Sequence, residues 1–482
     1  MPITLTATQS GAQETKNVYN GSKVKTARVH TGNSNNEKLI PDKYVDVVIA
    51  VFFDGTLNSR KNSQARVAHE KKEKGEILTS EEKEAASKFI PAGDKDTSYY
   101  NDESNVSRSE PYYDKEPEGK LLKASVYIEG IGTDDYEEDS SLGYGLGMGS
   151  TGVIAKVLKG CEKAVEQIKE VSKRKKINRL YIDTFGFSRG AAAARNFVHE
   201  VTKKKGSVKN VIPAGQGQPV IIYYDVDYGA LGEHLGESFI EKMRLPLCVR
   251  YVGLFDTVAS YGVAHFNDTS DLHLNAVSKA LTTLQLAAAD EHRDNFRLTN
   301  INSAGSRGTE KFLPGVHSDI GGGYIDGASE EVILEQNNVG WFGLESKKNE
   351  FIEQGWYNDD EIEVGWSSLI GTRKSISNKY SHIPLQIMVE FAQKKKVKFK
   401  VDNLKRKYPI IPDLKITKEK LSKYVLEDGD ALTFENNPDL IKALRHKYFH
   451  FSAHYGNSAL ILEPMAPHKN ILGKRVRVIQ NG

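Results

Sequence analysis

The segment Gly186-Phe187-Ser188-Arg189-Gly190 sets a serine between glycines at minus two and plus two. A serine hydroxyl is a poor nucleophile until a base takes its proton. A strand that turns sharply into a helix can push one such side chain out at the top of a sheet, and so tight a turn needs small residues on both sides. The N–H of Arg189, at the start of the helix that would follow, is then one candidate donor to an oxyanion. GxSxG is a common pattern on its own, so its flanks decide. LYIDTF (180–185) reads as a strand directly before it, and AAAARNFVHEV (191–201) as a helix directly after.

A serine nucleophile needs a histidine base and an orienting carboxylate, in the chain order Ser, Asp or Glu, His when the elbow is of this kind. Asp256 ends the strand candidate VRYVGLF (249–255), although a strand-end Asp is more often a turn cap. His317 lies in the glycine-flanked GVHSDIGGG, after the short strand candidate 311–313. It competes with His265, His273, His292, His446, His450 and His454; His450, in YFHFS, is the second choice. The second oxyanion amide is expected from the loop after an early strand, from Gly55 or Thr56 in Asp54-Gly55-Thr56. Asp54 itself could cap that turn or hold a metal. The glycine-rich stretch 143–149 lacks the GK[ST] ending of a phosphate loop and reads as a flexible loop.

Elements must exist to position these residues. VDVVIAVFF (45–53) reads as a buried parallel strand, and residues 124–128 as a second. Residues 153–171 carry Ile154, Val157, Leu158, Cys161, Val165 and Ile168 at helical spacing. The Ala- and Leu-rich stretch 275–289 reads as a further helix. The alternation implies an α/β fold, a mostly parallel sheet with helices on both faces. Residues 1–43 are a polar lead-in and 44–325 the catalytic core, with a charged, partly helical and partly mobile insertion at about 60–118. Residues 326–482 would complete or cap that core.

The 482 residues suffice for a large core. Lys plus Arg (66) balances Asp plus Glu (64), which argues against nucleic acid as a partner. The basic clusters 394–396, 405–407 and 474–475 read as solvated surface, with a patch for anionic head groups as the alternative. Two cysteines, Cys161 and Cys248, suit a reducing compartment of synthesis. No bilayer-length apolar run and no secretory signal are legible, so a cytoplasmic location in the producing cell is expected, with any export independent of a signal peptide.

FFDGTLN, GFSRGAAAARNF, VGLFDTV, LAAADEHRDNF and LPGVHSDIGGGY occur in that order over about residues 45–325, with a fainter block YSHIPLQIMVEFA (380–392). Together they resemble the signature stretches of the uncharacterised α/β-hydrolase domain family, which includes the first group of type VI secretion lipase effectors. The resemblance implies a modified α/β-hydrolase core with insertions. It also implies a phospholipase with Ser188, Asp256 and His317 as its triad, so that it favours His317 over His450. It further implies an immunity protein, a spike or tube carrier and a phospholipid membrane surface as partners. The charged insertion and the region after residue 392 match nothing in the family pattern. The expectation is therefore a serine esterase on phospholipid acyl esters, an antibacterial effector, needing no metal or other cofactor. A cytoplasmic esterase or thioesterase on a soluble substrate is the alternative, and a non-catalytic binding protein on the same scaffold is a further one.

Overall fold

The computed structural model describes residues 42–91, 97–140, 149–173, 175–212, 221–224, 227–236, 245–259, 270–336, 343–456 and 465–482. Its centre is a six-stranded sheet of β1 (Tyr44–Phe53), β2 (Leu121–Ile128), β3 (Lys176–Phe187), β4 (Leu247–Phe255), β5 (Thr282–Ala288) and β6 (Gly308–Leu313). The strand order is β2-β1-β3-β4-β5-β6. Every neighbouring pair is parallel. The chain first leaves β1 to one side and then continues to the other, the arrangement that opens a crevice at the carboxyl ends of the strands.

The strand β1 shows why the sheet is buried on both faces. Val48, Ala50 and Phe52 join one apolar layer, and Val47, Ile49, Val51 and Phe53 the other. Strand alternation sends consecutive side chains to opposite faces, so a run without polar breaks serves two layers. One layer is closed by α1 (Val153–Ser172) and α2 (Arg189–Val201). On α1, Val157, Cys161, Val165 and Ile168 point inward as the spacing predicts, whereas Ile154 and Leu158 are exposed. The opposite layer holds the apolar face of a later helix, His382–Lys394.

Two expectations are corrected. The stretch 275–289 is not a helix: it is a 3-10 turn, Leu274–Lys279, followed by β5. Ala and Leu favour helices when alone, but Thr283 through Ala288 are sealed on both sides between β4 and β6. Tertiary context outweighs propensities worth only a fraction of a kcal/mol per residue. The charged insertion is helical at Arg60–Glu73 and Ser80–Ser87, as expected in part. Its second half, however, is interior. Asn105 donates to the carbonyls of Ile320 (2.8 Å) and Ser381 (2.9 Å), and the buried Arg108 donates to Ser381 Oγ (2.8 Å). All of 141–148 lies outside the described residues, and so does all of the lead-in but Asp42 and Lys43.

The central position of β5 is testable. Leu286→Ala should cost about 2–5 kcal/mol, the range for emptying a packed core site, read as a lowered urea midpoint with an unchanged slope. A loss of under about 0.5 kcal/mol, the scale of a surface substitution, would contradict a buried central strand.

Candidate active site

The register of the sheet aligns the ends of its strands. Phe53 pairs with Gly186, Phe187 with Phe255, Phe255 with Leu286, and Ala288 with Leu313. Asp54, Ser188 and Asp256 therefore leave β1, β3 and β4 along one edge, joined by the loop that follows β6.

Ser188 sits between β3 and α2 with φ 58° and ψ −129°. A non-glycine residue in that conformation stores about 1–3 kcal/mol of strain and persists only where its surroundings fix it. The fixing bonds are present: its N–H donates to Phe255 O (3.1 Å), and its carbonyl accepts from Ala191 (3.0 Å) and Val258 (3.3 Å). The flanking glycines are sterically required. A Cβ at Gly186 would lie 2.4 Å from Gly190 O, and one at Gly190 would lie 2.1 Å from Asp54 O. The second contact also means that the loop after β1 presses on the start of α2. Arg189 Nε donates to Thr56 Oγ1 (2.8 Å) across the same junction.

Gly55 departs from its expected role. Its N–H is turned onto Asp54 Oδ1 (2.7 Å), so that donor is already occupied. Asp54 caps its own turn, and Tyr127 donates to its other oxygen (2.6 Å). Burial raises the Asp54 carboxyl to about 6. The adjacent Thr56 amide donates to nothing among the described residues. No cluster of three or more His, Cys, Asp or Glu side chains suited to a metal occurs among the described residues.

Asp256 and His317 meet. Nδ1 of His317, the first residue of the one-turn helix α3 (His317–Gly321), lies 2.5 Å from Asp256 Oδ2. The imidazole is held between Phe187 (ring centroids 4.6 Å apart) and the edge-on Phe296 (5.0 Å). Asp256 Oδ1 accepts from the Ala288 amide (2.8 Å), which ties it to the end of β5. Burial alone would raise the Asp256 carboxyl, but the charge of Arg477 and the hydrogen bond with His317 hold it below its usual range. Burial lowers the His317 imidazole, against the opposing pull of Asp256. The pair is thus an anionic carboxylate beside a neutral ring at neutral pH.

His450 does not reach Asp256. Its Nδ1 lies 3.0 Å from Asp319 Oδ1 and its ring stacks on Tyr324 at 3.7 Å. Asp319 in turn accepts the Val316 amide (3.0 Å), so His450 braces the helix that carries His317. His292, His446 and His454 lie elsewhere, with His446 on Glu361 (2.9 Å). His273 stacks on His199 (3.8 Å). His265 lies outside the described residues.

Sequence reasoning missed two side chains that build the site. Arg477, five residues from the last residue, points Nη2 at both oxygens of Asp256 (3.0 Å each) and is itself buried. Glu291 accepts the His317 amide (3.3 Å) and two bonds from Arg293 Nε (2.9 Å) and Nη2 (2.8 Å). Burial would raise Glu291, but the charge of Arg293 holds it well below the usual carboxylate range. Arg293 also lies over the Phe296 ring that edges His317. Glu291 and Arg293 fall inside the DEHRDNF block, where like-for-unlike charges two apart were the available signal. Arg477 had none, being one arginine in a basic tail.

A parallel α/β sheet with a strained serine elbow and a buried Asp–His pair at its carboxyl edge is the architecture of an α/β hydrolase. The chain belongs to the Tle1-like phospholipase effectors of the type VI secretion system: residues 48–390 match that family's catalytic domain. A Tle1 effector solved bound to the VgrG spike of the type 6 secretion system has a similar fold, with 20% identity and a TM-score of 0.60, over 92% of this chain and 95% of that one. An uncharacterized protein from Pseudomonas aeruginosa overlaps more loosely, with 16% identity and a TM-score of 0.38, over 83% of this chain and 52% of the other. No curated protein matches the sequence.

Arg477 should hold the titration of His317 down, because it shares the negative charge that would otherwise favour imidazolium. In Arg477→Gln the His317 midpoint, followed by NMR of the ring, should rise by about one unit. A midpoint unchanged in a folded variant would remove this electrostatic role.

Proposed function

We propose that this chain is a serine-dependent phospholipase of the A type, cleaving fatty acyl esters of glycerophospholipids. The observation that carries the reading is the conjunction of a strained, glycine-walled Ser188 with a neutral His317 held by an anionic Asp256. With Nδ1 engaged by Asp256, Nε2 is the ring nitrogen left for the serine. Ser188 Oγ attacks the ester carbonyl while His317 Nε2 takes its proton. The Arg189 amide is the first oxyanion donor, and Thr56 rather than Gly55 is the second. As the tetrahedral adduct collapses, His317 returns the proton to the departing glycerol oxygen. Water, deprotonated by His317, then releases the fatty acid and restores Ser188. Each step uses side chains and amides of this chain.

Family membership supports delivery by a type VI system, and the VgrG-bound Tle1 structure supports a spike as carrier. No described helix is long and apolar enough to cross a membrane. We further propose that the protein is made in the cytoplasm, that it acts on the membranes of the cell that receives it, and that an immunity protein guards the producer.

Ser188→Ala should abolish labelling by a fluorophosphonate probe and reduce fatty acid release from phospholipid by about 10⁴-fold or more. Equal labelling of wild type and variant would overturn the nucleophile assignment. His317 must be neutral to act as base, and burial lowers it from its ordinary 6.5. Activity should therefore rise through a midpoint below that value and be flat at neutral pH. An acidic limb centred above pH 7 would contradict a depressed base.

A further inference from the structure

We propose that two turns at one end of a small antiparallel sheet dock the protein onto the headgroup–acyl boundary of a phospholipid bilayer. The proposal rests on the phospholipase reading for its purpose, while its geometry stands apart from it. The sheet comprises β7 (Ala328–Gln336), β8 (Ile362–Val364) and β9 (Ser368–Ile376). Gln336, the last residue of β7, pairs with Ser368, so the turn joining β8 to β9 emerges where β7 ends. That turn, closed by a bond from Gly365 N–H to Ser368 O (2.9 Å), carries Trp366 at 77% exposure.

A second turn stands beside it. Lys469 and Arg475 bridge in antiparallel fashion; Lys469 Nζ donates to Glu335 Oε2 (2.6 Å) and Arg475 to the Leu334 carbonyl. Both anchors lie on the last three residues of β7. At its tip Ile471 is 102% exposed and Leu472 75%. An isoleucine, a leucine and a tryptophan therefore project from adjacent turns, each at least three-quarters exposed.

The form of the second tip favours a bilayer over a protein partner. The amides of Leu472 and Lys474 donate to Asn470 Oδ1 (3.0 Å each), Gly473 N–H to Asn470 O (2.8 Å), and Asn470 N–H to Lys474 O (2.9 Å). Four of the five amides from Asn470 to Lys474 are thus satisfied within the turn, which lowers the cost of leaving water at the headgroup boundary. Trp concentrates at the membrane–water boundary, and Lys beside an inserted apolar pair can keep its ammonium in the headgroups. Glu335 is already paired with Lys469, and the exposed Glu363 lies on β8, so apolar insertion rather than charge carries the contact. The backbone from Leu472 to Arg477 spans at most about 18 Å, and Arg477 touches Asp256. Docking through these turns holds the site close to the lipid from which an acyl ester must come.

The test uses the full chain with Ser188→Ala, so that no product forms, and sedimentation with phosphatidylcholine vesicles, with and without phosphatidylglycerol. Adding Trp366→Ser, Ile471→Ser and Leu472→Ser should weaken partitioning at least tenfold on both vesicles and leave the thermal midpoint unchanged. Trp366 emission should shift to the blue on vesicles, and that shift should vanish in Trp366→Phe. In the Ser188 protein the triple substitution should leave hydrolysis of a soluble short-chain ester intact while lowering fatty acid release from vesicles. Unchanged partitioning of the triple variant, or an unshifted Trp366 emission, would overturn the docking assignment. Vesicle binding through these turns without hydrolysis of any phospholipid by the Ser188 protein would sink the phospholipase reading alone.

Discussion

A carboxylate sealed from water is the constraint around which the functional edge of this molecule is organised. An ionised group in a dry interior is held only if opposite charge and hydrogen bonds replace its lost hydration, a deficit of several kcal/mol when they are missing. Asp256 receives His317, the Ala288 amide and both contacts from Arg477. These partners come from the end of β5, the loop after β6, and a position 221 residues further along the chain. The final segment is thus part of the site's electrostatics. Its return is fixed by backbone as well as charge: the strand 479–480 pairs in parallel with 298–299, beside the DEHRDNF block.

A second layer of support keeps His317 in line. The loop that carries it is gripped through Asp290, which accepts the Gly315 amide (2.7 Å) and is buried against Arg445 (2.7 Å). Tyr380, at the start of the YSHIPLQIMVEFA block, donates to Pro314 O (2.6 Å). The same block meets the insertion, through Ser381 with Asn105 and Arg108. Segments that looked unrelated in sequence, the charged insertion, the late helix and the tail, therefore converge behind one imidazole. An orientation set by so many buried polar contacts resists displacement, because loss of any partner strands another polar group without water.

What could be read in advance follows the range over which each interaction acts. The strands β1, β3 and β4 and the serine elbow are written in local patterns: unbroken apolar runs, and glycines where backbone passes within contact distance. The exit of Ser188 and Asp256 along one edge follows from how a parallel sheet presents its carboxyl ends, and that too is local to each strand. The strand β5 was misread because Ala and Leu say helix when burial is unknown, and only its neighbours make it a strand. The choice between the Gly55 and Thr56 amides is not written in the backbone pattern, since it is the Asp54 side chain that takes the Gly55 N–H. Arg477 could not be found from sequence, since nothing near it in the chain records a partner more than two hundred residues away.

The two members of the buried pair are displaced in the same direction for different reasons, and the combination suits the role proposed for them. Burial disfavours the charged form of His317, so the ring is neutral at rest. Arg477 and the Ala288 amide keep Asp256 ionised despite the same burial. When the ring takes a proton, the imidazolium forms against an anion that is already oriented, in surroundings where water does not screen the attraction. In the proposed reaction, stabilisation would thus be withheld from the resting state and delivered as charge develops, which is the condition for accelerating a reaction rather than merely binding its substrate. Arg477 belongs to that balance: its charge holds Asp256 below the usual carboxylate range, while burial and the charge of Arg293 lower His317. A single hydrogen-bonding nitrogen shared between the two carboxylate oxygens leaves the second face of Oδ2 to His317.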